Sequence, residues 1–271
     1  MKPSRKIEGS QRRKVSQKPK FGLGESPNPQ DPSGNNNDTM IIEEDFIDFT
    51  CPYCKDPVSF PLQNRGSLQQ CPMCYESLLV PKDPGGPGGK IPVPFATERL
   101  TLRRLAPGDW RDLLEFLSNE EDFQHTAGHP LDEDAILKWL ESDPHVKLTT
   151  PDQTFCLGVA LREGGKLIGY VGLRLDAPEL LQARLTIHLN RSFQKQGYAL
   201  EALKGVLKFC FKEIQLHRVS TSCDSRHSAA VKLLEKASLR REGEFVKDSL
   251  IHGEWTNTVW YAALREEYKF E

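Results

Sequence analysis

Four cysteines set the strongest constraint on this chain. Cys51-Pro52-Tyr53-Cys54 and Cys71-Pro72-Met73-Cys74 are separated by 16 residues, inside the spacing at which two short turns donate four thiolates to one tetrahedral Zn2+. A unit of about 35 residues has too little core to fold alone, so metal binding supplies its folding free energy. Four thiolates close the coordination sphere and leave no place for a reacting water, which makes the predicted site structural. A redox dithiol fits less well, because that motif occurs singly beside a βαβ unit. Cys156, Cys210 and Cys223 lie in apolar contexts that suit buried, inert thiols. This usage fits a reducing compartment rather than a disulfide framework.

Composition breaks twice. Residues 1–45 are polar and almost free of aromatics, so they cannot bury enough apolar area to offset the entropy of ordering, and a disordered tail is expected. Its first twenty residues carry eight Lys or Arg against one Glu. A weak attachment to RNA or the ribosome is one reading, and a solvated tail is the favoured one. Net charge is −2, so no global field attracts nucleic acid or a membrane. No apolar run approaches the roughly 18 residues of a membrane span, and no signal-peptide core is present. The expected location is cytoplasmic. The second break, Pro81 to Gly89, is dense in Pro and Gly and predicts a linker over 82–94. The expected organisation is therefore tail 1–45, cysteine unit 46–81, linker 82–94 and a larger domain 95–271, with the cysteine unit and the larger domain folding independently.

In the larger domain Arg99 to Leu105 alternates as a strand, and Asp109 leads into a helix carrying Leu113, Leu114, Phe116 and Leu117. Asp132 opens a second helix through Leu140. Phe155 to Leu161 and Leu167 to Leu175 read as a hairpin around Gly164-Gly165. Further strands are predicted over Leu185 to Leu189, Arg218 to Ser222, Glu244 to Lys247 and Thr258 to Leu264, with helices over Ala199 to Phe211 and Ala229 to Lys236. The fold class is α+β around a mainly antiparallel sheet.

One strand runs into a glycine-containing turn that opens a helix: Leu185-Thr186-Ile187-His188-Leu189-Asn190-Arg191-Ser192-Phe193-Gln194-Lys195-Gln196-Gly197-Tyr198-Ala199. Such a turn aims backbone N–H groups and the positive end of a helix dipole at one point, a cradle for a diphosphate. Gly197 lets the backbone approach closely and Lys195 adds local positive charge. This stretch resembles the pyrophosphate loop of the GNAT superfamily, Gln/Arg-x-x-Gly-x-Gly/Ala, through Gln194, Gly197 and Ala199. Thr97-Glu98-Arg99-Leu100-Thr101-Leu102-Arg103, Glu201-Ala202-Leu203, Glu235-Lys236 and Trp255 to Tyr261 are similar to the subgroup containing the ribosomal-protein alanine N-acetyltransferases. The cysteine unit, from Phe49-Thr50-Cys51 to Val80-Pro81, resembles small bacterial zinc ribbons.

The resemblance implies a GNAT fold, a mainly antiparallel mixed sheet flanked by helices, with acetyl-CoA wedged between the domain's fourth and fifth strands. It implies main-chain contacts from Ile187, His188 and Leu189, and a cofactor loop formed by Gln194, Lys195, Gln196, Gly197, Tyr198 and Ala199. The sequence departs from the family at the fourth helix. There His227 stands at the usual Asn, Ala230 at the Ala/Ser, Leu234 at the proton-donating Tyr, and Arg184 or Thr186 at the acidic position of the fourth strand. His188 is the candidate general base, because imidazole titrates near neutrality, or else a strand residue that packs. His227 either contacts the cofactor or caps its helix; Ser228 and Cys223 are weaker donor candidates. The activity implied is acetyl transfer to an amine. A protein or peptide α-amino group, a ribosomal protein's among them, is favoured over a small amine or Lys, because its pKa of about 8 leaves more neutral nucleophile than about 10.4 does. The alternative is a non-catalytic acetyl-CoA-binding or partner-docking module carrying a zinc ribbon.

Overall fold

The computed structural model describes residues 45–177 and 181–270. The expected tail lies outside the described residues except at Asp45.

Each Cys-x-x-Cys pair opens a tight turn. Lys55 N donates to Cys51 O and Tyr75 N to Cys71 O, and Lys55 and Tyr75 take φ of 68° and 60° directly after each second cysteine. Around these turns lie β1 (Phe46–Thr50) and β2 (Pro57–Pro61), paired antiparallel, and the sheet β3 (Leu68–Gln70), β4 (Ser77–Leu79) and β5 (Gly89–Lys90). The small core is Ile47, Phe49, Val58, Phe60, Leu78 and Val80 with the cysteines. The 82–94 stretch, read as a linker, contains β5, whose Gly89 and Lys90 pair with Leu79 and Leu78.

The larger domain runs β6 (Phe95–Ala96), β7 (Leu100–Arg103), α1 (Trp110–Leu117), α2 (Glu133–Ser142), β8 (Phe155–Leu161), β9 (Leu167–Ala177), β10 (Gln182–Leu189), α3 (Tyr198–Lys208), β11 (Arg218–Asp224), α4 (Ser228–Lys236), β12 (Arg240–Ile251) and β13 (Glu254–Leu264). Its sheet has the order β12-β13-β11-β10-β9-β8-β7-β6. Every neighbouring pair is antiparallel except β10 and β11, which are parallel and pair only over Gln182–Arg184 with Arg218–Ser220. Beyond Arg184 the strands part and leave a wedge.

Alternation along β10 sends Leu185 and Leu189 into the core shared with α3 and α4, and turns Arg184, Thr186 and His188 to the other face, toward α1. Asp132 caps α2 as expected, its side chain accepting from Ala135 N at 2.8 Å. Two elements exceed their expected length. The α3 helix passes into a wider turn over Phe209–Glu213. The β12 and β13 strands form a hairpin turning at His252-Gly253, longer than the expected strands. Most β12 side chains are exposed, so apolar alternation does not mark its full length beyond the expected Glu244 to Lys247.

The cysteine unit is packed onto this domain. Leu68 is buried in the large core, and Leu79, Ile91, Val93 and Phe95 pack against it. Ser77 Oγ and Thr149 Oγ1 are 2.8 Å apart and buried, Thr149 N donates to Ser77 Oγ, and Lys147 Nζ meets Glu76 Oε1 at 2.6 Å.

Candidate active site

The loop that follows β10 is held open from behind. Lys195 and Gly197 both take left-handed backbone, with φ of 60° and 86°, and Gly197 is the N-cap of α3. Among the described residues the backbone N–H groups of Gln196, Gly197, Tyr198 and Ala199 donate to no protein acceptor. They sit at the positive end of α3, where an anion is favoured. Gln194 and Gln196 do not face this opening: their amides donate to Leu189 O and Ser192 O at 3.0 and 2.9 Å and brace the loop.

Arg99 is the larger brace. Its Nε bonds Glu201 Oε2 at 2.7 Å and its Nη1 donates to Gln196 O at 3.1 Å, while its guanidinium lies 4.3 Å from the Tyr198 ring centre. Glu201 Oε1 also accepts from Thr97 Oγ1 and Arg99 N. In the sequence Thr97, Arg99 and Glu201 stand out only as members of the family pattern. The available signal was Glu201 lying four residues after Gly197, on the first turn of the helix.

On the α1 side of the wedge His188 is enclosed by aromatic rings: Phe116 at 5.4 Å, Tyr170 at 5.8 Å and Phe123 at 5.9 Å between centroids. Burial carries its pKa down to about 4, so at pH 7 it is neutral and a weaker proton acceptor than the near-neutral titration expected of it. His227 stands across the wedge as the N-cap of α4 without a side-chain cap hydrogen bond. It stacks on His125 of the α1–α2 loop, 4.7 Å between centroids. His125 lies in a loop with no readable pattern, so nothing local marks its contact with His227. Leu234, at the position of the family's Tyr, is a buried core residue beside α3. Burial pushes the Cys223 thiol up to about 11.

Phe123 also lines a cavity of about 720 Å3 on the same side, together with Glu120, Glu121, Arg191 and His252. The hairpin turn closes over it: His252 Nε2 lies 3.0 Å from Phe123 O. Arg191 pairs with Glu121 and Asp122, and Glu120 has no ion-pair partner among the described residues. The excess negative charge suits a cationic entrant.

The Sγ atoms of Cys51, Cys54, Cys71 and Cys74 lie within 4.8 Å of one another, with Cys51 to Cys74 at 3.8 Å and Cys54 to Cys71 at 3.9 Å. A Zn–S bond of about 2.3 Å in a tetrahedron requires sulfurs roughly 3.8 Å apart, so the residues fit that ion.

A family model described as an acetyltransferase (GNAT) domain matches residues 99–240. The uncharacterized N-acetyltransferase YnaD of Bacillus subtilis is 27% identical over 174 residues, covering 64% of this chain and 98% of that protein. Among solved structures, a GNAT-family acetyltransferase from Bacillus anthracis is 26% identical with a TM-score of 0.59, covering 65% of this chain and all of that one. Spermidine N-acetyltransferase from Vibrio cholerae, in complex with CoA and spermine, shares the fold at 22% identity and a TM-score of 0.56, covering 64% and 99%.

Proposed function

The chain belongs to the GNAT acetyltransferase family, and from that premise we propose that it transfers acetyl from acetyl-CoA to the α-amino group of a peptide or protein. The observation that carries this reading is the pairing of two features on one wedge. A cradle of unpartnered N–H groups opens at Gly197, and an acid-rimmed cavity lies on the α1 side behind Phe123. The cradle residues Gln196, Gly197, Tyr198 and Ala199 would hold the diphosphate, with Lys195 adding charge beside them, and β10 past Arg184 offers an edge without a strand partner for the rest of the cofactor. The amine enters as a cation attracted by Glu120 and Glu121, loses a proton and attacks the thioester carbonyl. The α-amino group is favoured over Lys because more of it is neutral at pH 7.

The acid rim also favours a second reading, a small polyamine, of the kind the structural neighbour from Vibrio cholerae acts on. Thiol release from acetyl-CoA, measured with a panel of N-terminal peptides and with spermidine, decides between them. Glu120→Gln is expected to raise KM for the true acceptor several-fold with kcat little changed. An unaltered KM would remove the rim from acceptor recognition.

His188 is proposed as a neutral wall of this pocket. Its folded pKa of about 4 lies below the ordinary 6.5, so above pH 6.5 it is neutral folded or unfolded and contributes no pH dependence. As pH falls from 6.5 to 4 the unfolded state takes the proton first, and stability drops by up to about 3 kcal/mol. His188→Leu should flatten that part of the stability curve and retain turnover. A rate lost by about 10²-fold in the Leu variant would return His188 to the role of base.

For the cysteine unit we propose one structural Zn2+ on Cys51, Cys54, Cys71 and Cys74.

A further inference from the structure

The two imidazoles that meet across the mouth of the wedge are not explained by packing or capping. His125 Nδ1 is buried with no hydrogen-bond partner among the described residues, and His227 makes no cap bond. A buried polar ring atom without a partner loses its hydration for nothing, unless something that enters the wedge supplies the partner. The turn that presents His227 is rigid. Asp224 Oδ1 accepts from Arg226 N at 2.8 Å, the Arg226 guanidinium closes on the same carboxylate, and His227 N donates to Asp224 O at 2.9 Å. The groups that usually return a proton to the leaving thiolate are absent, since Leu234 is core and Ala230 carries no proton.

We propose that His227 is the proton donor to the departing CoA thiolate and that His125 is the residue positioning it, a role that rests on the acetyl-transfer reading above. The amine nitrogen forms the new C–N bond as the C–S bond breaks. The neutral His227 imidazole takes the proton leaving nitrogen and passes it to the departing sulfur, so the pair ends each turnover as it began. The rings stack 4.7 Å apart, close enough for a charge on one to disfavour a charge on the other. Among the described residues, His125, Asp224 and His188 act electrostatically on His227. Asp224 is ionised: burial raises its pKa, but Arg226 outweighs burial and holds it below the usual range. For His227, burial and then the charge of His125 push the pKa down, Asp224 pulls it up, and His188 pushes it down. Arg226 is itself neutralised by Asp224 and Glu254.

The test uses the full chain, with thiol release read from pH 5.5 to 9.5 and acetyl-CoA affinity read by calorimetry. His227→Asn keeps a good helix N-cap and removes the titrating ring. The expected result is a kcat lowered by about 10²-fold, with affinity within a few-fold of wild type and the acid-side fall in kcat abolished. His125→Phe keeps the stacked ring and removes the charge that pushes the His227 pKa down, so the acid limb should move to higher pH, a shift that a purely structural role would not produce. If His227→Asn turns over within about three-fold of wild type with the same acid limb, the assignment falls and acetyl transfer stands. If wild type releases no thiol with any amine, both fall.

Discussion

Gly197→Asp is expected to abolish acetyl-CoA binding in a protein that still folds. Gly197 has φ of 86°, and a Cβ built there lies 3.2 Å from Arg99 Nη2. Asp is among the residues that visit left-handed backbone, so the turn can form. Its carboxylate then puts a negative charge beside Arg99 Nη2 and next to the loop N–H groups that have no partner among the described residues. At an effective dielectric constant of 20, two like charges about 4 Å apart repel by roughly 4 kcal/mol, which corresponds to a loss of about 10³-fold in affinity. Gly197→Asn carries the same bulk without the charge and should lose far less. Calorimetry giving equal affinities for the Asp variant and wild type would dismiss the loop as the diphosphate site.

Cys71→Ser is expected to lose the metal and also to lower the melting temperature of the whole 45–270 unit, by roughly 10 °C. The sequence predicts a tethered ribbon whose loss would be local. The structure places Leu68 inside the acetyltransferase core, with Leu79, Ile91 and Val93 against it, and buries the Ser77–Thr149 hydrogen bond between the two parts. Removing one buried Leu costs about 2–5 kcal/mol, and in a domain of this size each kcal/mol shifts the midpoint by about 2–4 °C. Metal analysis and thermal unfolding are read together. A metal-free Cys71→Ser protein that melts where wild type does would mean that the ribbon and the core are energetically separate.

What could be read from the sequence follows from where apolar side chains face. The hairpin from Phe155 to Leu175, the capped α2 and the strand-turn-helix at Gly197 each bury one periodic face, and each appears at or near its expected bounds. The β12 strand buries little, so only its middle, Glu244 to Lys247, is expected from the sequence, while backbone pairing extends it over Arg240–Ile251. The β5 strand is two residues of Gly-Lys, held by backbone pairing that no side chain announces. At the site, the cradle was legible because backbone geometry and glycine are linked. The Arg99–Glu201 brace joins residues 102 apart in sequence, and His125 meets His227 through a loop, so neither has a local signature. His188 was legible as a position but not as an acid or base, because its pKa is set by three aromatic neighbours on different elements.

The short parallel seam between β10 and β11 has a mechanical consequence. Five strands lie on one side of it and three on the other, and three residue pairs stitch them together. A ligand lying in the wedge spans both half-sheets and acts as a splint between them. Its binding free energy is then also resistance to splaying, and the loaded protein is the stiffer of the two states.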